Sequence, residues 1–164
     1  MKFIYNDGGR AECGFKGEAR DCVCRAIAIA TQKPYIEIYA LISEFAKKER
    51  TGKRKRGISS PRTGVYKNTI KKIMEHLGWK WVPTMQIGQG CKVHLKAEEL
   101  PAGRLVVSVS KHCTAVIDGV IHDTYDCSRG ESRCVYGYYI KPDPELVPMP
   151  GAEKLAVLKE QYSN

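Results

Sequence analysis

Two segments of this chain carry the residue types needed for acyl transfer by a thiol. Cys22 and Cys24 stand in DCVCRAIAIAT, and His112 opens HCTAVIDGVIHDTYD, which also holds Asp123 and Asp126. A thiolate paired with an imidazolium attacks a carbonyl carbon. The imidazole then passes its proton to the leaving amine, while a carboxylate fixes the ring's tautomer and orientation. Cys22, His112 and Asp123 are the candidates for those three roles, with Cys24 as the rival nucleophile and Asp126 as the rival acid.

Such a site needs a helix to present the thiol. Asp21 followed by CVCRAIAIATQ reads as an N-cap and a helix. Positions 22 to 30 are all Cys, Val, Ala or Ile except Arg25. A helix apolar nearly all round is buried, and in a domain of this size it is central. In its first turn, free backbone N–H groups and the positive end of the helix dipole favour thiolate over thiol. The same N–H groups are donors for a developing oxyanion.

The imidazole and the acid need a hairpin. Asp118-Gly119 between two apolar runs predicts a two-residue type I′ turn, which requires φ > 0 at both positions. That turn pairs Ile117 with Val120, Thr114 with Asp123 and His112 with Tyr125. His112 and Asp123 then share a face one diagonal apart, about 7–8 Å at Cα, which long side chains bridge. His122 and Asp126 point the other way. A bulge near residue 125 would transfer the acid's role to Asp126.

A cysteine opening a buried helix, then a histidine opening a strand, then an acid on the next strand, resembles the papain-like cysteine peptidase superfamily. The order His, apolar strand, Gly turn, Asp is closest to the bacteriocin-leader peptidases. DCVCRAIAIAT with HCTAVIDGVIHDTYD is also similar to short proteins of tailed bacteriophages. The similarity covers residues 18 to 140. It implies a papain-like fold, with Cys22 as nucleophile, His112 as general base and acid, and Asp123 as the orienting residue. It also implies a protein or peptide substrate, such as a host protein, met in the cytosol of a bacterial host. The family's C-G-S-C-W signature is absent. Where the family places an oxyanion-donating glutamine six residues before the nucleophile, this chain has Lys16. Lys16 and the backbone amides of GFKG are therefore the oxyanion candidates.

The remaining pattern is helices first and strands after. PYIEIYALISEFAKK, with Pro34 at the first helical position, sets Tyr35, Ile38, Ile42 and Phe45 on one face. A third helix over 65–77 carries Ile70, Ile73, Met74 and Leu77, and Gly78 is its stop. WKWV from Trp79, then Arg104–Ser110, Cys113–Asp118, Val120–Thr124 and Cys134–Ile140, read as strands, with Trp79 and Trp81 as packing residues. The expected class is α+β, a buried central helix of the N-terminal half packed on an antiparallel sheet from the C-terminal half. Residues 1–141 form one domain, and 142–164 form a Pro-rich tail with a peripheral helix over 152–162.

Composition excludes several classes. The chain has 164 residues, 43% hydrophobic and 27% charged, which is globular and neither disordered nor fibrous. The longest apolar stretch falls far short of the ~20 residues a membrane span needs, and the first residues lack the apolar core of a secretory signal. A cytoplasmic protein without membrane association is expected, and its thiols reduced. Seven cysteines cannot all pair, and their spacing does not suggest a disulfide framework. Cys127 and Cys134 read as packing residues. Cys91 and His94 have the spacing of half a zinc site, with Cys22 and Cys24, or His122 and Cys127, as the remaining ligands; a structural site needs a second tight pair, so neither a metal nor a cofactor is expected.

Net charge is +9, concentrated in KKERTGKRKR from Lys47 to Arg56, where seven basic residues face one Glu. This reads as a solvated loop. The alternative is a phosphate-contacting patch at Lys53, Arg54, Lys55 and Arg56, through which a non-catalytic module would bind nucleic acid. No aromatic residue lies within the run to stack on bases.

Overall fold

The hydrophobic helix dictates the architecture. A computed structural model describes residues 1–52 and 57–143. In it, α1 spans Cys22–Thr31, and every residue from Val23 to Ala30 is buried. Burying each isoleucine of that run is worth about 1.5–3 kcal/mol, so the sheet and helices must close around it. Gln32, in the left-handed conformation at φ 58, ends the helix.

α2, Tyr35–Lys47, buries Tyr35, Ile38, Ile42 and Ala46. Pro34 stands at the N-cap in an extended conformation, one residue before the helical position the sequence suggested. Its carbonyl takes the amides of Glu37 and Ile38 into the first turn. α3, Lys67–His76, terminates at Gly78, whose φ is 81. The Gly78 amide bonds the Glu75 carbonyl at 3.0 Å and the Trp79 amide bonds that of Met74 at 2.8 Å. This is the Schellman pattern, which a glycine at that position allows without steric penalty.

Six strands form one sheet: β1 (Lys2–Tyr5), β2 (Lys80–Pro83), β3 (Arg104–Val109), β4 (His112–Ile117), β5 (Val120–Asp123) and β6 (Val135–Ile140). Their order is β1-β5-β4-β3-β6-β2. The sheet is mixed and not purely antiparallel, because β1 runs parallel to β5. All four residues of β1 are exposed, so no alternation marked it in the sequence. Among the described residues no helix is long and apolar enough to cross a membrane.

Both faces of the sheet are covered. On one, α1, α2 and α3 pack over Val106, Cys113, Ala115 and Tyr139. Cys113 and Ala115 are small, which lets α1 approach β4 closely. On the other, Leu95, Leu100 and Cys127 cover Leu105, Val107, Val109, Val116, Ile121 and Val135. Near the outer edge, the Trp81 ring lies over Gly137 and 4.8 Å from the Tyr139 ring. A Cβ on residue 137 would come within 2.3 Å of that indole.

The molecule is thus α+β, as expected in class. The expected basic patch at Lys53–Arg56 and the helix over 152–162 lie outside the described residues.

Candidate active site

Cys22 is the first residue of α1, and His112 is the first of β4. β4 and β5 are joined through Asp118 and Gly119 at φ 47 and 76, the positive pair that a type I′ turn requires. The register follows: Ile117 opposite Val120, Val116 opposite Ile121, Ala115 opposite His122. Asp123 at the end of β5 therefore comes back beside the start of β4. His112 Nε2 lies 2.7 Å from Asp123 Oδ2, both side chains being buried. The ring of Tyr125 packs 5.2 Å from that of His112.

The thiol completes the line. Cys22 is half-buried, and the His112 side chain is the neighbour that acts most strongly on its thiol. With Nε2 committed to Asp123, Nδ1 is the ring nitrogen left to face a thiol. Burial alone would raise the Cys22 pKa, but the hydrogen bond and positive charge of His112 overcome it and hold the thiol below its usual range. The Cys113 amide and Arg25 act in the same direction. Burial likewise opposes the imidazolium, yet its hydrogen bonding to Asp123, Cys127 and Cys22 pushes the His112 pKa up to about 11. Asp123, which burial would neutralise, is kept below the ordinary carboxylate range by His112, with the Thr124 amide assisting. The three shifts run the same way, toward thiolate at Cys22, imidazolium at His112 and carboxylate at Asp123.

Cys24, the rival nucleophile, is fully buried, and its pKa is pushed up to about 12 by desolvation. Asp126, the rival acid, is exposed and accepts the Ser128 amide at 3.0 Å, which holds its pKa down. Lys16 is exposed on the loop before α1, and its carbonyl is approached by Arg10 and Arg62. None of the leading influences on Cys22 comes from it.

Behind the three residues lies an ionic cluster that motif reading missed. Arg25 bonds Asp21 through Nη1 and reaches Asp123 Oδ1 through Nη2 at 3.3 Å. Tyr35 donates its hydroxyl to Asp21 at 2.7 Å, and Arg10 Nε stands 3.3 Å from the same carboxylate. Asp21 therefore does not cap α1 with its side chain, as had been expected; its carboxylate belongs to this cluster. The signal was Arg25 itself, the one charge in an apolar run, because a buried guanidinium demands buried carboxylates.

Cys91 and Cys134 form a disulfide, contrary to the expectation of reduced thiols and of Cys134 as a packing residue. Cys91 is thereby removed as a zinc ligand, and His94 instead faces Glu99 at 3.3 Å. His112, Asp123 and Cys127 bring one ligand atom each within 4.8 Å of one another. A cation there would have to displace the His112–Asp123 bond.

No family model, curated protein or solved structure matches this chain.

Proposed function

We propose that this protein is a cysteine-dependent acyl-transfer hydrolase of papain-like type, a peptidase, isopeptidase or deamidase, using Cys22, His112 and Asp123. The observation that carries the reading is the His112 Nε2 held 2.7 Å from Asp123 while the same histidine lowers the pKa of Cys22, which opens a helix.

In this mechanism the Cys22 thiolate attacks the carbonyl carbon of an amide, giving a tetrahedral oxyanion. The free amides at the start of α1 face that developing charge, and Lys16 is a further donor if its side chain turns inward on substrate binding. Collapse breaks the C–N bond, and the His112 imidazolium gives its proton to the departing amine or ammonia. A thioester remains. Water then attacks it, His112 takes the water's proton, and the thiolate leaves as the carboxylic acid forms. Asp123 holds the ring so that the same nitrogen serves both transfers. By the resemblance to phage proteins, the substrate is a protein of a bacterial host cytosol.

The test is alkylation. With iodoacetamide near neutral pH, mass spectrometry should find Cys22 modified far faster than the other free cysteines, and His112→Ala should abolish the difference. Slow labelling spread evenly over Cys13, Cys22 and Cys24 would sink the proposal and favour a binding module without catalysis.

A further inference from the structure

A cleft is lined by chain neighbours of two of the three proposed catalytic residues. It has a volume of about 640 Å³, and its wall includes Asp21, adjacent in the chain to Cys22, and Thr124, adjacent to Asp123. Four arginines are among its lining residues, Arg10, Arg20, Arg25 and Arg62, against two acidic residues, Glu18 and Asp21.

The positive charge there is not internally consumed. Asp21 is already shared among Arg25, Arg10 and Tyr35. Arg20 and Arg62 are both exposed, and among the described residues neither makes an ion pair. Arg62 is held by its neighbours, its guanidinium 5.8 Å over the Phe15 ring and its Nη2 3.4 Å from the Lys16 carbonyl. The Arg20 amide bonds the Arg62 carbonyl at 2.8 Å, so the two arginines are tied to one stretch of wall. Arg25 is only 9% exposed, lines the same cleft, and its Nε has no hydrogen-bond partner. A wall with two surface arginines free of ion pairs is a setting for an oxyanion, which takes bidentate hydrogen bonds from arginine.

We propose that this cleft binds an oxyanion group, carboxylate or phosphate, carried by the substrate beside its scissile acyl bond. The inference rests on Cys22 being the nucleophile and narrows the substrate to acidic or phosphorylated chains. Arginines at the rim would also draw such substrates in by long-range attraction, an effect that weakens with salt.

Two alkylating agents of the same size test it, the anion iodoacetate and the neutral iodoacetamide. The readout is the ratio of their rates at Cys22, located by mass spectrometry. The imidazolium of His112 raises this ratio in any case, so the decisive quantity is its change on substitution. Arg20→Gln and Arg62→Gln should each lower the ratio by roughly threefold or more, while Arg20→Lys should keep it. Arg20 is exposed, so its variants should fold even if Arg62→Gln loosens the loop over Phe15. An unchanged ratio in Arg20→Gln overturns the proposal. Slow iodoacetamide labelling of Cys22 in the unaltered protein would instead remove the enzyme reading beneath it. At constant ionic strength, glutarate and inorganic phosphate are then added in turn. Stronger protection by glutarate assigns an acidic side chain, stronger protection by phosphate assigns a phosphoryl group, and protection by neither overturns the proposal.

Discussion

Arg25 on α1 and Asp123 on β5 meet with Nη2 3.3 Å from Oδ1, so the carboxylate that orients His112 is itself held by the helix that carries Cys22. Helix and hairpin are joined at the proposed site by a charge pair as well as by apolar packing.

Replacing Arg25 should therefore do more than remove a charge. Arg25→Ala leaves buried Asp21 with Arg10 alone and buried Asp123 with His112 alone, at a cost of about 3 kcal/mol. Urea unfolding measures it. Tyr35→Phe removes only one hydrogen bond to Asp21 and should cost about 1–2 kcal/mol.

The acidity of Cys22 depends on His112. In His112→Ala, burial is left as the main influence, and the midpoint of the alkylation rate at Cys22 should move to higher pH than in the unaltered protein. Rate against pH at Cys22 in the two proteins, read by mass spectrometry, checks the direction.

Asp123 and His112 link stability to pH in opposite directions. The His112 pKa is raised from 6.5 to about 11, so its contribution is complete below 6.5 and drains away as pH climbs through about 11. The Asp123 pKa is lowered from 3.8, so its contribution is present above 3.8 and is lost as acid protonates the folded carboxylate. Asp123→Asn removes the partner that raises His112. Unfolding free energies should then fall less steeply between neutral pH and pH 10 than in the unaltered protein.

At the far edge of the sheet, Gly137→Ala drives a methyl group into the Trp81 indole. Destabilisation of about 1–3 kcal/mol is expected, and Trp81→Val should relieve only part of it, because the Val82 carbonyl oxygen also lies 2.8 Å from that methyl position. A thermal-melt double-mutant cycle gives the coupling, and Cys22 labelling should be unaffected by either change.

The Cys91–Cys134 disulfide closes a loop with a sequence separation of 43. Chain-entropy reasoning puts its contribution at up to about 4 kcal/mol. Dithiothreitol should lower the melting temperature of the unaltered protein but not that of a Cys91→Ser, Cys134→Ser double variant.

Local rules carried the sequence reading where a short loop fixed geometry. The Asp118-Gly119 turn admits one register, and that register alone brought His112 to Asp123 across the hairpin. Gly78 likewise marked the end of α3, because few other residues accept its φ. What escaped was set by distant partners. β1 has no buried side, so its residues show no periodicity, and only its bond to β5 makes it a strand. Asp21 before a helix suits a cap as well as a buried ion pair, and the choice was made by Arg25 and Tyr35. Cys91 and Cys134 are brought together by the chain's return along β6 and not by spacing, so the pairing left no trace in the sequence.

The three residues of the proposed site emerge from the ribosome in a fixed order. Cys22 comes first, and His112 follows ninety positions later. Until the β4–β5 hairpin docks on α1, the sulfur lacks the neighbour that ionises it, and it behaves as an ordinary thiol. On the proposed mechanism, the added nucleophilic power of Cys22 thus arrives only with completed folding.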